Sequence, residues 1–391
     1  MKPGDAAGAF AVRATSFSGA DPGDHDPADE RQYVAANRRL VAVDGKRIIG
    51  HLAAWPLKQY LLGKPVKVAG IASVAVLPHA RGQGIASQLA ERAVHEANDD
   101  GQAFAVLFPN TQGVYRRAGW EVAGTWTVNE VRAADLARLP HPDSDVTLRP
   151  PQAGDGKAMG ALEAAAAVDD HGRVTRGVAR RRMWLSDPAV RSVVAVRDGK
   201  PSGFMLWTMG DDPNAAGDRT SLRLRVHELV AADSQSWLAL WHVLASHRSV
   251  AGAVRYVAPP IDPLTTFLRD QAIERAGSPW HWMTRVLDLD AALGGRGWPQ
   301  HVNVAVPLTI HDSILGDRSG VLHVASGSAH FTAGDDAGVH VDVGAFSSLI
   351  TGGFTATQLA WLGRLQGASR DHLRDLDDAC RAPTPWTADH F

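Results

Sequence analysis

Cysteine is almost missing from this chain: Cys380 is the only one in 391 residues, so neither an intrachain disulfide nor a cysteine-based zinc cluster can form. Net charge is also nearly missing, at -2 with histidine neutral, which removes any global attraction to nucleic acid or to an anionic membrane surface. No uninterrupted apolar run approaches the roughly 18 residues that a membrane span requires. The opening Met1-Lys2-Pro3-Gly4-Asp5 lacks the basic-then-apolar order of an export signal. A cytoplasmic protein with no nucleic-acid or membrane partner is expected. The 17 histidines are scattered without a His-x-x-x-His pair, so no metal is expected either. The chain is longer than one hydrophobic core usually serves, and two or three domains are expected.

One stretch organises the rest. Ile71 to Leu77 is small, β-branched and uncharged, which reads as a buried strand; Ile85, Leu89, Ala93 and Ala97 then recur every four residues, which reads as a helix. Between them lies Arg81-Gly82-Gln83-Gly84-Ile85-Ala86. A helix start offers backbone N–H groups without intrahelical partners beside the positive end of the dipole. Two residues without a Cβ let a phosphate approach that main chain, and Arg81 adds a charged donor. No Gly-Lys-Ser/Thr follows and the three-glycine spacing is lacking, so neither a P-loop nor a dinucleotide fingerprint is present. The six residues fit the Arg/Gln-x-x-Gly-x-Gly/Ala signature of the GNAT acetyltransferases, and so resemble their acetyl-CoA site, with a pyrophosphate as the guest.

Residues 1 to about 30 are rich in Gly, Pro, Ala and Asp, and their acids, Asp24 and Asp26 among them, are either a solvated loop or a lure for a cationic amine. Asp44-Gly45 between apolar runs marks a hairpin over 39–55. Asp198-Gly199 marks a second over 194–207. A strand at 225–232 and a helix at 237–246 follow the second hairpin, as 71–97 follow the first, with Asp233-Ser234-Gln235-Ser236 in place of the Arg and glycines. Asp233 or Ser234 can cap that helix. This is the pattern of a duplicated fold that has lost its phosphate cradle. Prolines at 140, 142, 150 and 151 suggest a boundary between the copies. From Met283 onward, short alternating runs predict an antiparallel sheet, followed by helices near 343–349, 356–365 and 370–379.

In this order the chain resembles the enhanced intracellular survival (Eis) family, over nearly all of residues 30–391. The resemblance implies a catalytic GNAT domain at 1–145, a degenerate GNAT-like domain at 146–285 and a sterol-carrier-protein-like domain at 286–391, thus an α/β (α+β) chain with two tandem mixed-sheet domains before a third. It implies an acetyl-CoA-dependent N-acetyltransferase acting by direct attack on primary amines of a small polycationic molecule or a lysine, assembled as a hexamer. Acetyl-CoA is then held by the main chain of Val74 and Val76, by Arg81, Gly82, Gln83, Gly84, Ile85 and Ala86, and by Asn110, where the family pattern has Ser. Tyr115, in Gly113-Val114-Tyr115-Arg116-Arg117-Ala118-Gly119-Trp120, is the acid that protonates the departing thiolate; an ordinary phenol, with pKa near 10, is neutral at pH 7. The carboxylate that ends the chain at Phe391 is the base, with His390 as its rival. Ser73 stands where the family places a pocket-lining Phe. Trp55 and Trp207 are further pocket candidates, although an aromatic at a strand end is more often core. A lipid or apolar-ligand carrier, or a CoA-binding regulator without turnover, are the alternatives.

Overall fold

A computed structural model of the chain describes residues 1, 3–17, 38–175, 178–212, 220–268, 270–335 and 338–390. They pack into two units, one of residues 1–124 with 281–385 and one of 125–280 with 386–390.

In the first unit the strands Arg38–Asp44, Arg47–Leu61, Lys64–Val76, Phe104–Leu107 and Trp280–Val286 follow one another across a mixed sheet. The first three are antiparallel, Phe104–Leu107 runs parallel to Lys64–Val76, and Trp280–Val286 is antiparallel to Phe104–Leu107. The first hairpin turns at Gly45, with φ of 57°, a left-handed conformation that glycine adopts without a Cβ clash. The helix Ile85–Asp99 lays Leu89, Ala90, Ala93, Val94 and Ala97 on the sheet. Its inward face is mostly alanine, so the helix lies close over Leu52, Ile71 and Leu107.

Residues 287–385 belong to this same unit. They form a five-stranded sheet in the order Ser328–Ala333, Arg318–Ala325, Asn303–His311, His340–Asp342, Leu365–Gln366. The expectation of a purely antiparallel sheet is corrected here: His340–Asp342 runs parallel to Asn303–His311. The chain leaves the edge strand Ser328–Ala333 and returns to the far side of Asn303–His311, a crossover that sets the two strands in one direction. The helices Val343–Ile350, Ala356–Trp361 and Arg370–Cys380 follow, capped by the side chains of Asp342, Thr355 and Ser369.

The second unit orders Arg191–Arg197 and Lys200–Asp211 as a hairpin, then Leu222–Ala231, Ala251–Ala258 and residues 125–132 of the strand Glu121–Arg132. Asp198 and Gly199 both have positive φ, the pairing that matches strand twist in a two-residue turn. The helix Ser234–Ser246 packs Leu238, Leu240, Trp241 and Leu244 inward. The proline-rich stretch at 140–150 lies within this unit, as a loop over 140–146 followed by the short strand Thr147–Arg149.

Candidate functional site

The strand Lys64–Val76 is bent where it enters the site. His51 pairs with Ala75 and Ala53 with Ala72, so Ser73 and Val74 together stand opposite Leu52. That is a β-bulge, and Ser73 carries it with φ of 52°, a conformation that costs an ordinary side chain about 1 kcal/mol. His51, fully buried, lies with Nδ1 2.9 Å from the Ser73 carbonyl oxygen. A carbonyl can only accept, so Nδ1 carries the proton and the ring holds the bulge from the neighbouring strand. Pairing with Phe104–Leu107 ends at Ile71 opposite Leu107, and the edge of 72–76 on that side, Val74 and Val76 included, has no strand partner among the described residues. The two parallel strands thus part company, and Asn110 sits exposed just past the end of the shorter one.

Past Val76 the chain makes the 3-10 turn Pro78–Ala80 and reaches the cradle. Gly82 and Gly84 have φ of 79° and 75°, and Gly84 is the N-cap of Ile85–Asp99 with no side chain bonded to the helix start. A Cβ at Gly82 would meet nothing within 4 Å, and one at Gly84 only Gln88 Nε2 at 3.9 Å. Arg81, Gly82, Gln83 and Gly84 are exposed, and Ile85 and Ala86 half-buried. Arg81 is steadied by its Nε, which donates to the Val76 carbonyl at 3.2 Å. The first-turn amides of a 15-residue helix therefore face open space at the positive end of its dipole.

The corresponding point of the second unit is closed. Asp233 is the N-cap of Ser234–Ser246, and its Oδ1 accepts from the Ser236 amide at 2.8 Å while Oδ2 accepts from Ser236 Oγ at 3.0 Å. The Ser236 amide, a donor that would meet an anion, is thus occupied, and a carboxylate stands at the helix start. The bulge itself is repeated, at His227 between Val226 and Glu228.

Tyr115 lies on the six-residue helix Gln112–Arg117, half-buried, its ring edge-on to Trp120 at 6.1 Å. Burial pushes the phenol up to about 12, so at neutral pH it is a proton donor and never a phenolate. The turn after the helix closes through Gly119, whose φ is 83° and whose Cβ would lie 2.9 Å from Arg285 Nε.

Asp24, Asp26 and Phe391 lie outside the described residues. The five residues before Phe391 are tied into the second unit: the Trp386 amide donates to His171, the Thr387 amide to Thr125, and Thr387 Oγ1 accepts from the Val174 amide. His390, exposed, lies 5.4 Å from the Trp126 ring and 5.1 Å from Trp280. The structure places Trp207 in the core of the second unit, 5% exposed, against Leu224, Trp241 and Leu244; as a pocket residue it is corrected, because its strand is covered on that face by Ser234–Ser246. Trp55 lines a cavity of about 190 Å³ with Arg38, Leu40, Ala97 and Asp100. That cavity is at the C-terminal end of Ile85–Asp99, away from the cradle at its start. Sequence reasoning missed His51, whose only signal was a lone histidine in an apolar strand across the hairpin from the motif.

Comparison with known proteins agrees with this layout. Acetyltransferase (GNAT) domain families match residues 1–123 and 172–286, and a sterol carrier protein domain matches 289–388. The N-acetyltransferase Eis of Mycobacterium tuberculosis is 28% identical, over 97% of this chain and 95% of that protein. An uncharacterized N-acetyltransferase of Streptomyces avermitilis is 24% identical, over 94% and 92%. Among solved structures, a GCN5-related N-acetyltransferase from Anabaena variabilis superposes with a TM-score of 0.88 at 26% identity, covering 100% of this chain and 98% of that one. Eis1 from Mycobacterium abscessus shares the fold, with a TM-score of 0.79 at 22% identity and the same coverage. With two acetyltransferase (GNAT) domains and a sterol carrier protein domain in that order, the chain is a GNAT-type N-acetyltransferase, similar along nearly its whole length to the Eis proteins.

Proposed function

We propose that the first unit binds one acetyl-CoA at Gly82–Ala86 and passes its acetyl group directly to a primary amine of a small polycationic molecule, an aminoglycoside or polyamine, or to a lysine. The observation that carries this reading is the contrast between the two helix starts: open and uncapped at Gly84, filled by a carboxylate at Asp233. The diphosphate is held by the amides of Gly82 to Ala86 and by Arg81, and the pantetheine by the free strand edge at Val74 and Val76, with Asn110 on the far side of the gap. The amine nitrogen attacks the thioester carbon, the C–S bond breaks, and the thiolate takes the Tyr115 proton. The proton lost by the amine goes to the terminal carboxylate of Phe391, whose ordinary pKa near 3.5 must be raised by burial or bridged by water for that task. The anchoring of 386–390 supports this assignment; His390 is the rival base. The sole cysteine is Cys380, which is fully buried with a thiol pushed up to about 11 by burial, a poor prospect for an acetyl-enzyme. The protein assembles as a hexamer, which light scattering of the purified chain tests.

Titration calorimetry with CoA is the direct test of the site. One molecule per chain is expected; two would mean that Asp233 does not close the second copy, and none would remove the cradle. Thiol release from acetyl-CoA across a panel of amines then separates transfer from its alternatives. Tight CoA binding with no release for any amine would favour the regulator, and no release beside tight binding of apolar ligands would favour the carrier.

A further inference from the structure

We propose that Arg364, in the sterol-carrier-like part of the chain, is a positioning residue for acetyl transfer, holding the Tyr115 helix in place through Glu121 and Arg116. The inference rests on the reading of Tyr115 as the acid.

The helix that carries Tyr115 cannot orient itself. It has six residues, its N-cap Thr111 makes no side-chain bond to it, and none of its residues is fully buried. A helix of that length has no stability of its own, and apolar packing gives it little. Polar anchors do the holding, and they lead into the residues after Val286. Arg116, next to Tyr115, donates through Nε to both Glu121 oxygens at 3.1 and 3.2 Å and through Nη2 to Oε1 at 3.0 Å. Arg364 Nη1 donates to the other side of the same carboxylate, Oε2, at 2.7 Å. The rest of the Arg364 guanidinium is spent on Asp342: Nε to Oδ2 and Nη2 to Oδ1, each at 2.7 Å. Asp342 is itself fixed as the N-cap of Val343–Ile350, accepting from the Ala345 amide at 2.9 Å. A continuous line of charge-assisted bonds therefore runs from a buried helix, through Asp342, Arg364, Glu121 and Arg116, to the residue beside the phenol.

Two cations and two anions make this line neutral, and each is needed. Glu121 is 2% exposed; burial alone would raise its carboxyl, yet the bonds from Arg116 and Arg364, with the Val122 amide, hold it below its ordinary value. Without Arg364, a buried carboxylate is left to the Val122 amide and to Arg116, whose side chain is 46% exposed and moves with its helix. A second tether, the fully buried Arg285, reaches the other end of the turn, with Nε on the Ala118 carbonyl at 2.8 Å and Nη2 on Asp312 at 2.7 Å. Arg285 is bound up with folding. Arg364, at 36% side-chain exposure, can be changed with less risk to the fold, and so exposes the positioning role.

The test is a double-mutant cycle in the full-length protein. Parent, R364Q, Y115F and the double variant are assayed by single-turnover thiol release with spermidine, tobramycin and lysine amide as acceptors, beside thermal unfolding. We expect R364Q to lower the rate about tenfold with KM for acetyl-CoA within twofold, and to have no further effect once Tyr115 is Phe. A residue that acts only on overall stability would cost the same factor in both backgrounds, and that result overturns the proposal while leaving Tyr115 as the acid. A parent-like rate in R364Q also overturns it. A parent-like rate in Y115F removes the acid assignment, and the proposal with it. Should R364Q not fold, D342N serves: Asn still caps the helix, only the grip on Arg364 is weakened, and a fall of about threefold confined to the Tyr115 background is expected.

Discussion

Replacing Gly84 by Asp converts the open helix start of the first unit into the closed one of the second, and the size of the effect can be worked out. A carboxylate at this N-cap stands about 5 Å from a diphosphate bound to the first-turn amides. At an effective dielectric of ~20, two unit charges at that distance repel by about 3 kcal/mol, roughly 150-fold in affinity. The same carboxylate competes for the amides, as Asp233 does for that of Ser236 at 2.8 Å. Because residues 81–84 are exposed, salt screens part of the repulsion, and the loss should shrink between about 20 and 150 mM ionic strength. The left-handed φ of 75° strains free and bound protein alike, so it enters stability and not affinity. It is offset in part by the capping bond, so the midpoint of unfolding should move little. The assay is calorimetric titration with CoA on Gly84→Asp and on Gly84→Asn, which has the same shape without charge. Asp should weaken binding by about 30- to 150-fold, from the same Coulomb estimate, and Asn by no more than about tenfold, the worth of the one amide hydrogen bond for which its side-chain oxygen competes. CoA binding by a folded Gly84→Asp protein within about threefold of the parent would refute the cradle, and equal losses for Asp and Asn would refute its electrostatic basis.

Tyr115→Phe should lower the transfer rate by about 10²-fold while leaving CoA affinity unchanged, the range expected for loss of a general acid; an unaffected rate excludes the phenol. Because the folded phenol titrates near 12 and an unfolded one near 10, its contribution to stability is complete below about pH 10 and disappears between pH 10 and 12. Alkaline melts of the parent should therefore fall away from those of Tyr115→Phe only in that window. His51→Leu should lower the rate by releasing the Ser73 bulge, and His51→Asn, which can keep an N–H where Nδ1 stands, should recover much of it; if Leu and Asn behave alike, the bond to Ser73 has no part in catalysis. Adding residues after Phe391 should impair turnover without weakening CoA binding, and a fully active extended chain would turn attention to His390 or a water.

How far the site was legible depends on whether its causes are local. The cradle is local: two glycines without side chains before an apolar helix stripe dictate an open, uncapped start. The loss of the cradle in the second copy was legible for the same reason, since an Asp at the N-cap bonds two or three residues on. The hairpins at Asp44-Gly45 and Asp198-Gly199 are local as well. The bulge was not legible. Nothing in the run Ile71 to Leu77 marks Ser73 for a left-handed φ, because the cause is across the sheet, in the spacing of Leu52 and the bond from His51. Trp207 was misplaced because alternation along a strand does not say which face a later helix will cover. The parallel strand His340–Asp342 and the path from Arg364 to Arg116 were hidden for a related reason: their partners are separated by tens to hundreds of residues, as with Glu121 and Arg364.

On the proposed reading, the two helix starts explain how a duplicated fold can give up a ligand without losing its structure. An acid at the N-cap is worth only a few tenths of a kcal/mol over glycine, yet it removes the site for an anion altogether. An uncapped Gly84 forgoes that bond and accepts a left-handed φ, a small cost that structure alone does not explain. Ser73 adds a second such cost in the strand before the cradle. Both fall on the first copy, although the matching strand of the second also parts from its parallel neighbour, after Arg225, and neither the left-handed N-cap nor the positive φ of the bulge is repeated at Asp233 or His227. Strain gathered where backbone donors are bare, and relieved in the twin where they are filled, is what binding through main-chain groups requires. If so, restoring glycine at position 233 should loosen the second unit slightly, leave its fold unchanged, and still give no second CoA, because Glu228 follows the bulge of that copy with a buried carboxylate where the first has Val74. A second molecule of CoA bound by Asp233→Gly, seen by calorimetry, would show that the cap alone separates the two copies.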